Sequence, residues 1–321
     1  MTMKQQPHHI VISGEEHQLP YSKGLMAASI MATGLAPARA FHVAERVEER
    51  LHEAGVLSLT RAELFHVAHE VLVDEVGERY AESFTKWQVA NELDRPLVIL
   101  IGGATGVGKS TIATQLAARL GLTRIIPTDA IREVMRAMFS DEMLPTLHTS
   151  SFEAERLATR NPLPRSADPV IIGFREQSAA VMVGVRALVR RAIMEGTDLI
   201  LEGAHIAPGF LDLSQFEGAV VVPFVVTVDD EELHRSHFIL RAHESRGRVS
   251  DRYLDHFDNI RKIQRYVKSL AMEHGMPIIP SYNLDATLSQ VIELVVTEAT
   301  RAVPSSAPLT SQLTPTTSPT Q

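Results

Sequence analysis

Residues 97–120 read LVILIGGATGVGKSTIATQLAARL, and they combine an apolar run, a glycine-rich loop and a helical pattern in one stretch. The apolar run 97–101 is long enough for a buried strand. From Ile112 onward, apolar residues recur every four positions, as on one face of a helix. Between these elements, residues 103–110 match G-x-x-x-x-G-K-[ST], with Gly106 as an additional glycine. In this context the pattern predicts a phosphate-binding loop.

The residue types of this loop suit a nucleoside triphosphate with Mg²⁺. Glycines let backbone N–H groups turn inward without a Cβ clash, and these donors and the helix N-terminus attract phosphate. Lys109 would reach the β- and γ-phosphate oxygens, and the Ser110 hydroxyl would bind Mg²⁺. The alternative is a glycine-rich turn that binds no ligand. The predicted nucleotide-binding residues are Gly103, Ala104, Thr105, Gly106, Val107, Gly108, Lys109, Ser110 and Thr111.

The composition predicts a globular protein with one large domain or two ordinary ones. The 321 residues are 45% apolar and 22% charged, and the net charge of −8 argues against a nucleic-acid partner. The absence of cysteine excludes disulfides and thiolate metal sites, and it suits the cytoplasm. We expect no membrane span and no signal peptide, because no apolar run is long enough and charged residues interrupt residues 1–20.

Strand and helix patterns divide the chain into three parts. Residues 1–93 contain a hairpin and four helical stretches, the third of which opens with a capping box between Thr60 and Glu63. Residues 94–302 alternate strands with helices, which predicts an α/β fold with a five-stranded parallel sheet flanked by helices. Residues 303–321 are rich in Pro, Ser and Thr, which predicts a disordered tail.

The loop by itself leaves several classes of P-loop protein open. A GTPase would need Asp-x-x-Gly and Asn-Lys-x-Asp downstream of the loop. Asp74-Glu-Val-Gly77 has the first spelling but lies upstream, and the second motif does not occur. The sequence therefore argues against a GTP-dependent switch.

Two acidic residues follow predicted strands, where ligands bind in an open α/β sheet. Asp129 comes after the strand at 124–127 and could accept the proton of a hydroxyl that attacks the γ-phosphate. It could equally cap the next helix. Glu202 ends the strand at 199–201 and could hold Mg²⁺ together with Ser110, or it could lie in solvent. We predict the catalytic role for both carboxylates.

A basic loop at residues 244–248 favours a kinase over a motor protein. Arg246 and Arg248 could fold over the phosphates, exclude water and neutralise the developing charge. The alternative is a solvated charged turn. After this loop, Ser250 is predicted to cap one helix that continues to about Leu270.

Two pairs of histidines have the spacing of metal ligands on a helix. These are His66-x-x-His69 and His234-x-x-His237. Neither pair has a third ligand in a clear pattern nearby, so we predict surface or half-buried histidines rather than a zinc site.

Several stretches of the chain resemble the 2-phosphoglycerate kinase family, over about residues 8–302. The stretches that carry the resemblance are PYSKGLMAASIMATGL, IGGATGVGKSTIA, PTDAIREVMR, LPTLHTSSFEA, GFREQ, LILEGAHIAPG and RYLDHFDNIRKIQ. LPTLHTSSFEA and EGAHIAPG are far more specific than the P-loop. The resemblance implies an enzyme that uses ATP and Mg²⁺ to phosphorylate the C3 hydroxyl of 2-phosphoglycerate, giving 2,3-bisphosphoglycerate.

An acceptor that already carries a phosphate and a carboxylate needs several cationic and polar donors. The candidates in the resembling stretches are Arg132, Arg136, His148, Thr149, Ser150 and Arg175. Alternatively, Arg132 and Arg136 could lie on a helix surface without a ligand, and residues 148–151 could form a capped loop. A kinase for another small anionic metabolite, such as a polyol phosphate, and a low-turnover ATP-binding regulator also remain open.

Residues 1–93 are similar to an ATP-cone, a small mostly helical module that binds nucleotide as a regulator in other enzymes. Such modules usually begin with a Lys-Arg pair before the hairpin turn, whereas this chain has Val11-Ile12-Ser13-Gly14. We therefore expect this region to pack or to mediate assembly rather than to bind nucleotide.

Overall fold

The computed structural model describes most of the chain. Its described residues are 10–13, 18–91, 95–154, 167–244 and 248–302. The chain divides into two structural units, one from Asp94 to Val295 and the other from the residues before and after it. The predicted disordered tail at 303–321 lies outside the described residues. None of the helices in the described ranges is both long and apolar enough to span a bilayer.

The N-terminal unit combines a small sheet with four helices. Its elements are β1 (Val11–Ser13), β2 (Gln18–Pro20), α1 (Lys23–Met31), α2 (Pro37–Glu53), β3 (Ser58–Thr60), α3 (Arg61–Val76) and α4 (Glu78–Asn91). The predicted hairpin is present, since β1 pairs antiparallel with β2. Thr60 and Glu63 form the predicted capping box. The sequence did not predict β3, which pairs parallel with β1, because three residues are too few to show a period.

The second unit alternates strands and helices as the sequence predicts. Its elements are β4 (Leu97–Gly102), α5 (Lys109–Leu120), β5 (Ile125–Pro127), α6 (Thr128–Met138), α7 (Pro169–Glu195), β6 (Leu199–Glu202), β7 (Val220–Thr227), α8 (Glu231–Glu244), α9 (Arg248–Asp255), α10 (Phe257–Glu273), β8 (Ile278–Pro280) and α11 (Leu284–Arg301). Helix α11 continues past the boundary of this unit at Val295. Single 3₁₀ turns occur at Pro145–His148 and Leu213–Phe216.

The five strands of this unit form one sheet in the order β5-β6-β4-β7-β8, and all four pairings are parallel. The predicted five-stranded parallel sheet is confirmed. Strand β4 is central and buried along its whole length. The chain passes to one side of β4 for β5 and β6 and to the other side for β7 and β8. In such a sheet, ligands bind at the carboxyl ends of the strands where this direction changes.

One local prediction is wrong, and one alternative is excluded. Ser250 does not cap one long helix, because α9 ends at Asp255 and α10 begins at Phe257. Between them, His256 leaves the helical conformation, and its Nδ1 donates to the carbonyl of Arg252 at 3.0 Å. The alternative role of Asp129, as the cap of α6, is excluded because the helix begins one residue earlier and Asp129 lies within its first turn.

Candidate active site

The P-loop leaves the carboxyl end of β4 and leads directly into α5. Lys109 is buried, and its ammonium donates to the Ala104 carbonyl at 2.7 Å. The Ser110 hydroxyl donates to Oε1 of Glu202 at 2.9 Å. This contact follows from the sheet, because Glu202 on β6 lies opposite Ile101 on β4. The predicted lysine, hydroxyl and carboxylate are thus brought together at one edge.

A pocket at this edge joins the ends of three strands. It is lined by Lys109 and Ser110 after β4, Asp129 after β5, and Glu202 at the end of β6. Tyr253 from α9 also lines this pocket; it lies in the family-like stretch RYLDHFDNIRKIQ but was not predicted as a site residue. Both predicted carboxylates therefore face the same space as the P-loop.

Arg132 lies beside Asp129 and connects it to the segment after α6. Its Nε is 3.2 Å from Oδ1 of Asp129, and its Nη1 donates to the Leu147 carbonyl at 2.9 Å. The Arg132 side chain is only 11% exposed, whereas Asp129 is 76% exposed. The carboxylate is therefore open to a ligand while the guanidinium is held in place next to it.

The other predicted acceptor contacts differ in their exposure and in their hydrogen-bond partners. Arg136 is exposed and lies 3.4 Å from a Glu133 oxygen, and Arg175 is exposed on α7. His148 donates from Nε2 to the carbonyl of Phe139, the residue that follows α6, at 2.9 Å. Ser150 is half-buried. The Thr149 hydroxyl oxygen is buried and has no hydrogen-bond partner among the described residues.

A buried relay of three side chains, which the sequence did not predict, supports this edge. Gln177 on α7 donates its amide to the carbonyls of Thr146 and Thr149, the second at 3.0 Å. Its amide oxygen is 3.0 Å from Nε2 of His205, and Nδ1 of His205 is 2.8 Å from the Thr128 hydroxyl. Because the amide oxygen can only accept, His205 carries its proton on Nε2, and Thr128 donates to Nδ1. The relay therefore ties the 146–149 segment to the start of α6.

The end of β6 leaves no room for a side chain beside this relay. A Cβ atom at Gly203 would lie 1.8 Å from the Thr128 hydroxyl oxygen. GFREQ and LILEGAHIAPG contain Gln177 and His205, so the family-like stretches did hold a signal for the relay. Their spacing alone could not show that the two side chains meet.

The protonation of His205 is set by its burial. Burial lowers the pKa of the imidazole from 6.5 to about 4. The nearby Asp129 carboxylate raises this pKa, whereas the positive charges of Arg132 and Lys109 lower it further. Between pH 6.5 and about 4, the unfolded chain binds a proton there that the folded chain does not. Stability therefore rises with pH across this window, and the shift corresponds to roughly 3 kcal/mol.

Replacing His205 by Gln is expected to make the unfolding free energy less dependent on pH. The variant loses the acceptor for Thr128 and is destabilised at pH 7, by about 1–3 kcal/mol. That deficit should shrink between pH 7 and pH 4.5. In the wild type, protonation of His205 in the unfolded chain lowers the free energy of unfolding as the pH falls, whereas the variant has no imidazole at this position. Denaturant unfolding followed by circular dichroism at both values measures this. His66→Gln, at an exposed histidine, is the matched control. A deficit that stays constant would contradict the assignment.

The segment after Thr149 is fixed from the other side by α9 and α10. Glu153 is buried, accepts from Arg252 and lies 3.6 Å from Nε2 of His256. The Asn259 amide donates to the Phe152 carbonyl at 3.0 Å. The elements that follow the basic loop are therefore attached to the segment that carries the predicted acceptor contacts.

The basic loop falls largely outside the described residues. Arg246 is among the residues that are not described, and Arg248 begins α9. Their predicted role over the phosphates stays a prediction.

Of the second histidine pair, His237 is half-buried as predicted, whereas His234 is not. His234 is fully buried, and both His234 and His237 donate to backbone carbonyls of the P-loop. Within the described ranges, no three His, Cys, Asp or Glu side chains converge as a zinc site would require. His66 is exposed, as predicted.

A P-loop on the central strand of this parallel sheet, with carboxylates at the neighbouring strand ends, is the arrangement of a P-loop kinase. Relatives named 2-phosphoglycerate kinase cover nearly the whole chain. The one from Methanopyrus kandleri is 36% identical over 92% of this chain and 89% of its own length. The relative from Methanothermobacter thermautotrophicus is 39% identical over 88% of this chain and 92% of its own length. The chain belongs to the 2-phosphoglycerate kinase family and is a phosphotransferase.

Two further comparisons add little. No protein-family model matches the chain. A solved gluconokinase from Sinorhizobium meliloti aligns with 64% of this chain and 93% of its own, at 14% identity and a TM-score of 0.35. A likeness this weak carries no argument about the fold or the function.

Proposed function

We propose that the enzyme transfers the γ-phosphate of ATP to the C3 hydroxyl of 2-phosphoglycerate, giving ADP and 2,3-bisphosphoglycerate in the cytoplasm. The observation that carries this proposal is the identity of 36–39% with relatives of that name over about nine tenths of the chain. The pocket supports it, since it combines a P-loop lysine with carboxylates at two strand ends.

The P-loop would hold ATP with Mg²⁺. Lys109 and the N–H groups of the loop would bind the β- and γ-phosphates. The Ser110 hydroxyl and the Glu202 carboxylate, 2.9 Å apart, are hard oxygen ligands that suit Mg²⁺. When bound, the ion would neutralise charge on the phosphates. A second pocket beside the loop, lined by Gly108, Thr111 and Tyr282, would accept the nucleoside.

Asp129 would act as the general base. It accepts the proton of the C3 hydroxyl, whose oxygen attacks the γ-phosphorus while the bond to the β,γ-bridging oxygen breaks and ADP leaves. Arg132, held beside Asp129, would bind the phosphate or carboxylate of the acceptor. The Thr149 hydroxyl, for which the described part of the chain offers no hydrogen-bond partner, would donate to the same groups. The other proposed acceptor contacts are Arg136, His148, Ser150 and Arg175. Arg246 and Arg248 would cover the phosphates.

The proposal is tested by measuring ADP release with a panel of phosphorylated three-carbon acids and polyol phosphates. We expect 2-phosphoglycerate to stimulate release most strongly. Phosphorus NMR of the product should show two phosphate esters on one glycerate. Stimulation by a polyol phosphate instead would replace the acceptor and leave the kinase assignment intact. ATP binding with no turnover across the panel would favour a regulator.

Replacing Glu202 by Gln is expected to raise the Mg²⁺ concentration for half-maximal activity by about 10–100-fold. The amide oxygen can still accept from Ser110, but the negative charge that would attract the ion is lost. Activity measured against Mg²⁺ at saturating ATP gives the shift. Glu153→Gln removes another buried carboxylate and should leave the Mg²⁺ requirement unchanged. An unchanged requirement in the Glu202 variant would exclude a role in metal binding.

We also propose that residues 1–93 form an ATP-cone-like domain and residues 94–302 the kinase domain, followed by a tail. The hairpin, the four helices and the buried cluster around Ile30, Val47 and Phe84 support a separate N-terminal core. Fluorescence of Trp87 on α4 would report any nucleotide bound by this part.

A further inference from the structure

Two histidines on α8 contact the outer side of the P-loop. Nε2 of His234 is 2.8 Å from the Thr105 carbonyl oxygen, and Nδ1 of His237 is 2.9 Å from the Gly106 carbonyl oxygen. A carbonyl oxygen only accepts hydrogen bonds, so both ring nitrogens are donors. The two side chains, three residues apart on one face of the helix, therefore hold two consecutive peptide groups of the loop.

Holding a carbonyl also fixes the N–H group of the same peptide plane. The peptide group is planar and, in the described residues, trans, so its C=O and N–H point in opposite directions. The Thr105 carbonyl shares its plane with the N–H of Gly106, and the Gly106 carbonyl shares its plane with the N–H of Val107. With both carbonyls directed at α8, both N–H groups point away from this helix. A P-loop binds phosphate through such converging N–H groups.

The position and the protonation of His234 are themselves fixed. Its ring lies between those of Phe238 and Phe257, with both centroids at 5.4 Å. Nη1 of Arg261 is 3.4 Å from Nδ1 of His234 and 2.6 Å from the Val228 carbonyl. Since the guanidinium can only donate, Nδ1 accepts and the imidazole proton stays on Nε2, which faces Thr105.

Helix α8 packs directly against the P-loop, with no space for a side chain at Gly106. A Cβ atom at Gly106 would lie 2.2 Å from the ζ carbon of Phe238. Gly106 also has a φ of 86°, a backbone angle that residues other than glycine rarely adopt. Glycine at this extra position of the motif is therefore what lets α8 approach closely enough for both histidines to reach the loop.

We propose that His234 and His237 form a P-loop clamp, a pair of positioning residues that presets the N–H groups of Gly106 and Val107 for the triphosphate. The inference rests on the proposed binding of ATP by this loop. The clamp lowers the cost of ordering the loop when the ligand binds, because the peptide planes are already oriented. Its loss weakens the binding of phosphate chains and leaves the acceptor pocket intact.

The position of the donor atom on residue 237 gives the test. In His237→Asn, the amide nitrogen replaces Nδ1 at the same number of bonds from the backbone. His237→Gln places it one carbon further out, and His237→Leu removes it. We measure the affinities of the purified full-length chain for ADP and for inorganic tripolyphosphate by calorimetry. Tripolyphosphate has no nucleoside, so contacts of residue 237 with the nucleoside pocket cannot affect it.

We expect the Gln and Leu variants to bind both ligands about tenfold more weakly, the effect of one hydrogen bond. The Asn variant should stay within about threefold of the wild type, and the KM for the acceptor should not change in any of them. Equal affinities in all variants, or equal losses in Asn, Gln and Leu alike, would overturn the clamp. Failure of the wild type to bind ADP or tripolyphosphate would instead overturn the proposed nucleotide function, and the clamp with it.

Discussion

Replacing Lys109 by Ala is expected to lower kcat by at least about 10²–10³-fold, the usual effect of removing one preorganised donor from developing transition-state charge. Lys109 is only 8% exposed, and its ammonium lies within the loop, where it donates to the Ala104 carbonyl. A charge in so dry a position interacts more strongly with phosphate than one in water. ADP release at saturating ATP and acceptor measures the loss.

The control for this variant is Lys86→Ala. Lys86 is 53% exposed on α4 and forms an i,i+4 pair with Glu82, so its removal should change stability by only about 0.3–0.5 kcal/mol and leave kcat unchanged. Full activity in the Lys109 variant would contradict the assignment of the P-loop. Equal melting temperatures in the two variants would show that any loss is not caused by unfolding.

The parts of the fold that the sequence predicts are those with a local signal. The P-loop follows from a strand, a glycine pattern and a helix in 24 consecutive residues, 97–120. The capping box at Thr60 needs only Glu63 three residues later. The five parallel strands each show as an apolar run between helical patterns, so the sheet follows from the alternation.

The parts that it does not predict depend on contacts between distant elements. His205 and Gln177 are 28 residues apart and meet only when α7 packs against the sheet. The histidines of α8 have a visible spacing, but their partners are backbone carbonyls, which carry no sequence signature. His256, where the helix breaks, likewise contacts a residue far away in the sequence, Glu153.

These distant contacts explain why the site could be predicted only in part. Residues that contact a ligand can be predicted from their chemical type, and Lys109, Ser110 and Glu202 are proposed as ligand contacts on that basis. The role of residues that position other residues cannot be predicted from their type, since an imidazole or an amide is also common on a helix surface. In this chain the relay on His205 and the clamp on His234 are of the second kind.

Replacing Asp129 by Asn is expected to lower kcat by about 10²–10⁴-fold, the usual contribution of a general base. The amide keeps the shape of the carboxylate and can still accept from Arg132, but it cannot take a proton from the acceptor hydroxyl. The KM values for ATP and acceptor should change little, because the charge on Arg132 remains. Single-turnover experiments at saturating substrates isolate the chemical step from product release.

The control must separate this role from the effect of a carboxylate on its helix. Asp129 lies in the first turn of α6, where a negative charge stabilises the helix by about 0.3–1 kcal/mol. Asp258 is an exposed carboxylate in the first turn of α10. Asp258→Asn should therefore show the same small loss of stability with unchanged kcat. If both variants keep their activity, Asp129 acts on its helix alone, and the proton of the acceptor must leave by another group.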